Sequence, residues 1–118
     1  MSHNVKLTTK VMDMQSALKA AAITGFRLTS AQKWQNKYGT GETYRDVQLL
    51  EDANGKLAGV ITKDGSTLVD PYYMGPMDRF LREYAAQSLQ SSAVLEGGWV
   101  SQRTEEADGS IIVEICLP

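Results

Sequence analysis

Val5, Leu7, Thr9 and Val11 alternate with Lys6, Thr8 and Lys10, a period of two that predicts a first strand with one buried and one wet face. The period then changes. Met14, Leu18, Ala21 and Ala22 recur at helical spacing behind Asp13, whose carboxylate can accept from a free first-turn amide, and Gly25 offers a stop, so a helix is predicted over 13–24. Phe26, Leu28 and the stretch to Trp34 read as a second strand, although its alternation is poor. Residues 36–43 are rich in glycine and polar side chains and lack a period, which predicts a loop. Three strand-like runs follow, 44–51, 56–62 and 67–70, separated by Asn54-Gly55 and Asp64-Gly65. Both dipeptides tolerate the positive φ angles of tight hairpins, so these runs predict an antiparallel meander.

Pro71, Gly75 and Pro76 break the meander, and Met77, Phe80, Leu81, Tyr84 and Ala85 then form an apolar stripe that predicts a second helix ending before Gly97-Gly98. Its later half, Gln87-Ser88-Leu89-Gln90-Ser91-Ser92, is weakly helical by propensity and must lean on packing or on a partner. Residues 99–106 and 111–117, joined by Asp108-Gly109, predict a closing hairpin. The order β-α-β-β-β-β-α-β-β places two helices on one face of a mostly antiparallel sheet, a ferredoxin-like α+β sandwich. The opposite face then stays wet or meets a second copy, which makes a homo-oligomer an expectation to test.

With 118 residues, 42% of them hydrophobic and 22% charged, the chain suits a single α+β domain spanning residues 1–118. A net charge of −2 favours neither a duplex-DNA binder nor a strongly acidic mimic of DNA. No apolar run approaches the roughly 18 residues of a membrane span, and the start lacks a basic segment followed by an apolar one, so a cytoplasmic protein is expected. Cys116 is the one cysteine, which excludes an intramolecular disulfide, and reads as a small apolar strand residue in a reducing compartment.

One histidine and one cysteine leave little material for a metal cluster or a nucleophile relay, so no catalytic residue, metal ligand or cofactor is assigned. His3 is the single imidazole and sits where termini seldom hold catalytic geometry; Met1-Ser2-His3 would chelate copper or nickel only with Met1 retained. Gly39-Thr40-Gly41 lacks the Gly-Lys-Ser/Thr ending and the strand-loop-helix context of a phosphate cradle. Charge is more informative. Arg27, Lys33, Lys37 and Arg45 oppose only Glu42, so this interval carries about +3 against a whole-chain −2, leaving −5 elsewhere. Trp34, Tyr38 and Tyr44 interleave with these cations. Arg27, Lys33, Trp34, Lys37, Tyr38 and Arg45 are therefore candidates for gripping an anionic small molecule such as a nucleotide, against the plainer explanation that Trp34 and Tyr44 pack in the core. Asp70, Tyr72 and Tyr73, in the 70–77 connection, are candidates for contacting a protein partner; the plainer explanation makes the tyrosines caps on the core. Asp78 suits a first-turn carboxylate, and Glu105 and Glu106 read as solvated.

The chain resembles the small conserved reading-frame proteins of cyanobacteria and red-algal plastids, which have relatives in other bacteria and in phages and no assigned activity. The resemblance is diffuse, covers most of the chain, and rests on Met1-Ser2-His3, on Leu18-Lys19-Ala20 followed by Gly25-Phe26, and on Gly41 before a strand. It rests also on Leu68-Val69-Asp70 before Phe80-Leu81-Arg82-Glu83-Tyr84-Ala85, and on Glu105-Glu106 with Asp108-Gly109-Ser110-Ile111. The chain departs from the family where the second helix is usually rich in Lys and Glu and here carries Gln and Ser, and its Gly-Gly-Trp exit is one residue longer, which suggests a remote, phage-borne member. The resemblance implies a small α+β domain, an ordered start around His3, and no catalytic residue to carry over. Sequence alone therefore orders three functions: a non-enzymatic accessory module docking on a larger protein, then a phage-type inhibitor or sponge for an anionic small molecule, and last an enzyme.

Overall fold

The computed structural model describes residues 5–7, 10–36 and 41–118. Along them run β1 (Val5–Leu7), α1 (Met14–Thr24), β2 (Arg27–Gln35), β3 (Thr43–Glu51), β4 (Leu57–Ile61) and β5 (Thr67–Val69). A single 3₁₀ turn (Pro71–Tyr73), α2 (Met74–Leu95), β6 (Trp99–Glu105) and β7 (Ile111–Cys116) complete the chain. The architecture is α+β, two helices with an antiparallel sheet, as the change of hydrophobic period implies.

The main sheet has five strands in the order β1-β5-β4-β3-β2, and every neighbouring pair is antiparallel. β1 and β2 consequently run parallel at opposite edges, about 19 Å apart at ordinary strand spacing. α1, 11 residues and about 16 Å long, bridges them across one face. Its start is fixed by Asp13, whose carboxylate accepts from the Gln15 and Ser16 amides at 3.1 and 3.4 Å and from the Ser16 hydroxyl at 2.6 Å. Gly25 ends it with φ +83°, a conformation in which a side chain is strained. The buried stripe of α1 is Ser16, Ala17, Ala20 and Ala21, whereas Leu18 is 50% exposed and Ala22 is exposed. The stripe expected through Leu18 is thus rotated, because α1 meets α2 with its smallest side chains, which permit close approach. Tyr84 of α2 reinforces that contact, its hydroxyl accepting from the Met12 and Asp13 amides at 3.0 Å each.

Between helices and sheet lies a core of Phe26, Leu50, Ile61, Val69, Met77, Phe80 and Leu81, with the Phe26 and Phe80 rings edge-to-face at 6.3 Å. Phe80 and Met77 are fully buried. The chain threads a β-bulge to achieve this: Leu50 pairs with Gly59 and Glu51 with Leu57, leaving Ala58 unpaired. Gly59 then faces α2 so closely that a Cβ there would stand 2.9 Å from the Met77 terminal methyl and 3.1 Å from the Leu68 carbonyl.

Of the two expectations for the opposite face, a wet surface or contact with a second copy, the wet one does not hold. Val47 and Val60 are fully buried there with Leu68, and Ala31, Trp34, Tyr44, Leu49 and Leu57 pack against them. Ala31 and Trp34 share this cluster although they are three apart in β2, as do Tyr44 and Val47 in β3, which strict alternation forbids. The slip falls where Asp46 adopts φ +54°. It accounts for the poor alternation of β2.

The second sheet is the lone β6–β7 hairpin, packed on α2. α2 spans 22 residues, about 33 Å, so its later turns outrun the main core, and the molecule is drawn out to 49 × 30 × 24 Å. The weakly helical segment around Leu89 leans on this hairpin, as its propensity requires. Among the described residues no helix is long and apolar enough to cross a membrane.

Candidate functional site

The connection from β5 to α2 is built by local hydrogen bonds. Asp70 accepts from the Tyr72 amide at 2.9 Å and heads the 3₁₀ turn, Pro71 supplies a pre-set φ, and the Asp70 amide returns to the Ala58 carbonyl at 3.1 Å. The Tyr73 hydroxyl donates to Asp52 at 2.9 Å. That carboxylate, held also by the Lys56 and Asn54 amides at 2.9 Å each, lies below its ordinary range, chiefly through the Lys56 amide. The same bond raises the Tyr73 phenol, because ionisation would destroy the donor. Of the three residues expected to contact a partner, Asp70 and Tyr73 are thus engaged in building the turn. Tyr72 is displayed: it is 89% exposed, its ring 6.4 Å from that of Tyr73.

The basic, aromatic interval is divided rather than gathered. Lys33 and Arg45 are register partners, as are Trp34 and Tyr44 one step further on. Arg27 does not join them; it pairs with Glu51 at 3.6 Å near the other end of β2, six residues or about 20 Å away. Lys37 and Tyr38, like His3, lie outside the described residues. Trp34 and Tyr44 are half-buried against the Val47 cluster, ring centroids 6.0 Å apart. The Tyr44 hydroxyl bonds Glu42, which raises its phenol above the ordinary value. Because adjacent strand residues point to opposite faces, Lys33 and Arg45 stand across the strand from these rings.

Sequence reasoning missed the cations that tertiary structure brings to this end of the sheet. Lys10 reaches Ser66 at 2.7 Å and Asp64 at 3.4 Å, and Lys63 lies 3.8 Å from Asp46. An open cleft of about 380 Å³, lined by Tyr44, Arg45, Thr62, Lys63, Asp64 and Ser66 among others, holds the cations Arg45 and Lys63 beside one aromatic ring; Lys33 and Trp34 do not line it. Neither Lys33 nor Arg45 has an ion-pair partner among the described residues. No sequence pattern links Lys10, Arg45 and Lys63; strand order alone does so.

A third polar constellation was also illegible. Glu83, on α2, is 2% exposed and takes both its bonds, at 2.6 and 2.9 Å, from Arg103 of β6. Glu105, expected to be merely solvated, meets the same guanidinium at 3.0 Å. Arg103 is raised above its already high value, mainly by Glu83. Arg82 adds a bond to the Asp108 carbonyl at 3.0 Å and pairs with Asp78 at 2.9 Å. This network fastens the hairpin to the helix.

The lowered carboxylates Asp13, Asp52, Asp64 and Asp108 owe their position first to amides or hydroxyls of their own turn or cap, with the Tyr73 hydroxyl adding to Asp52 and the Lys10 ammonium to Asp64. Among the described residues no three His, Cys, Asp or Glu side chains are grouped to hold a metal ion. Set against family models, curated proteins and solved structures, the chain matches none.

Proposed function

We propose that the chain is a small binding module, not an enzyme, that docks on a larger protein partner with Tyr72 as its anchor. The supporting observation is an aromatic side chain 89% exposed on a backbone already fixed by Asp70 and by the Tyr73–Asp52 bond. A large ring with two rotatable bonds on a rigid turn loses little freedom on binding, which is why such residues dominate interfaces. The ferredoxin-like description belongs to the same proposal: the split β1-α1-β2 unit supports it, while α2 leads to a separate hairpin instead of returning to the sheet. The resemblance to the reading-frame family and a cytoplasmic, phage-type setting are proposed with it.

A second reading, capture of an anionic small molecule, is favoured by one observation. Lys33 and Arg45 face each other with no ion-pair partner among the described residues, and Arg45 lines a cleft together with Tyr44, Lys63 and one acid, Asp64. Native mass spectrometry of the untagged protein isolated from host lysate separates the two. A stoichiometric protein adduct lost in Tyr72→Ala supports docking; an adduct kept equally by that variant, folded by circular dichroism, overturns it. A mass surplus of nucleotide size that disappears in Arg45→Ala establishes the second reading instead.

A further inference from the structure

We infer that the outer edge of β7 is a self-association surface, at which two copies of this chain pair β7 against β7 about a two-fold axis. A two-stranded sheet has two unpaired edges and is marginal by itself in water. Here none of the residues in β6 or β7 is buried. The two edges are not alike. β6 carries Arg103 and Glu105 and is broken by a register shift between Val100 and Gln102, the devices that keep an edge from pairing. β7 reads Ile-Ile-Val-Glu-Ile-Cys, β-branched and apolar with one charge, and its register is regular from Ile111 to Glu114.

The occupant is argued from symmetry and charge. An antiparallel pair of identical strands is isologous, so one sticky edge suffices for a closed dimer. Centring the pair on Val113 sets Glu114 opposite Ile112 of the second copy, and the single charge of the strand never meets itself. The flank of α2 beside this edge is shaped for the same event. An open groove of about 300 Å³ runs between helix and strand, lined by Arg82, Ala85, Ala86, Leu89, Ile111 and Val113 among others. In the dimer the two α2 helices lie antiparallel on one face of a four-stranded sheet, and Leu89, 49% exposed, enters the groove of the other copy. Two six-residue edges with a covered groove on each side bury on the order of 1,000–1,500 Å², at or above the roughly 1,000 Å² that a biological interface should clear.

Ile112 is 53% exposed and points away from α2, so charging it leaves the monomer fold intact and tests the register. Sedimentation across a concentration series should show wild type reaching twice the 13.0 kDa chain mass. Ile112→Glu, placed against Glu114 of the second copy, should raise the dissociation constant at least about tenfold, a difference near 1.4 kcal/mol. Ile112→Lys, placed against the same carboxylate, should keep or tighten the dimer. Three results would overturn the inference: a wild type that stays monomeric at about 100 μM, which leaves the edge to a strand of another protein; equal weakening by both variants; or no weakening by either. Tyr72 adjoins the far end of α2, so Tyr72→Ala leaves the dimer mass unchanged and the two proposals fail separately.

Discussion

Thr62-Lys63-Asp64-Gly65-Ser66 closes β4 onto β5, and Glu106-Ala107-Asp108-Gly109-Ser110 closes β6 onto β7, with the same three bonds. In the first, the Thr62 amide bonds the Ser66 carbonyl at 2.8 Å, the Gly65 amide the Thr62 carbonyl at 2.9 Å, and the Ser66 amide the Asp64 carboxylate at 3.0 Å. In the second, the corresponding bonds from Glu106, Gly109 and Ser110 measure 2.8, 3.0 and 2.9 Å. Both glycines are left-handed, with φ +86° and +88°. The strands they join could hardly differ more: β4 and β5 are buried almost throughout, and β6 and β7 nowhere. An Asp-Gly-Ser turn is satisfied within five residues and needs no help from the fold. Burial is decided elsewhere, by strands on both sides of β4 and β5 and α2 above them, against one helix flank for β6 and β7.

The sharpest break in this comparison is a methyl-deleting pair of substitutions. Ile61→Ala in β4, at a residue 1% exposed, should cost about 2–5 kcal/mol through lost transfer energy and the cavity left behind. Ile112→Ala in β7 should stay within about 0.5 kcal/mol, as surface changes do, in urea denaturation at concentrations too low for association. Equal costs would mean that the hairpin belongs to the same cooperative core and that the contrast is illusory.

Arg103→Ala comes next. It strands the Glu83 carboxylate, 3% exposed, on the face of α2 that meets the hairpin. Breaking a fully buried pair costs about 3–5 kcal/mol, but Arg103 is 30% exposed and water can reach the gap, so about 1–3 kcal/mol is expected. The double variant Arg103→Leu with Glu83→Leu should recover most of it. Hydrogen exchange locates the loss: amides of β6 and β7 should lose protection while those of β3 and β4 keep theirs. Uniform loss across both sheets would show one foldon instead of two.

These contrasts also mark what the sequence could disclose. Asp13, Gly25, Asn54-Gly55, Asp64-Gly65 and Asp108-Gly109 act through their own backbone, and each stands where local chemistry puts it. The rotated stripe of α1 was hidden because Leu18 scores as core by hydrophobicity, while contact with α2 demands the smaller Ala17 and Ala20. The apolar second face was hidden because a left-handed Asp46 shifts Trp34 and Tyr44 out of the alternation that a period of two assumes. At the candidate sites, Tyr72 and the Lys33–Arg45 pair were visible as residue types. That Asp70 and Tyr73 are spent on the turn, that Arg27 is bound to Glu51, and that Glu83 meets Arg103 are facts of register and helix packing, with no trace in local spacing.

The smallest expected effect probes the twin turns directly through acid. Asp64 is held well below the ordinary carboxylate range, first by the Thr62 hydroxyl, then by Ser66, with Lys10 adding to it. Asp108 is lowered chiefly by the Ser110 amide, then by the Ser110 hydroxyl, with Arg82 adding to it. A carboxyl whose folded pKa is depressed contributes stability that is complete above its unfolded value, about 3.9, and is lost as pH falls through the folded value. Both turns should therefore weaken below about pH 4, with Asp64 weighing more because its strongest partner, the Thr62 hydroxyl, has no counterpart at Asp108, where Glu106 takes the equivalent place. Denaturation midpoints of wild type, Asp64→Asn and Asp108→Asn between about pH 2 and 6 decide the matter. Asp64→Asn should flatten the acid limb more than Asp108→Asn; an equal effect would mean that the amide common to both turns governs these carboxylates, and the reverse order that the Thr62 hydroxyl adds nothing.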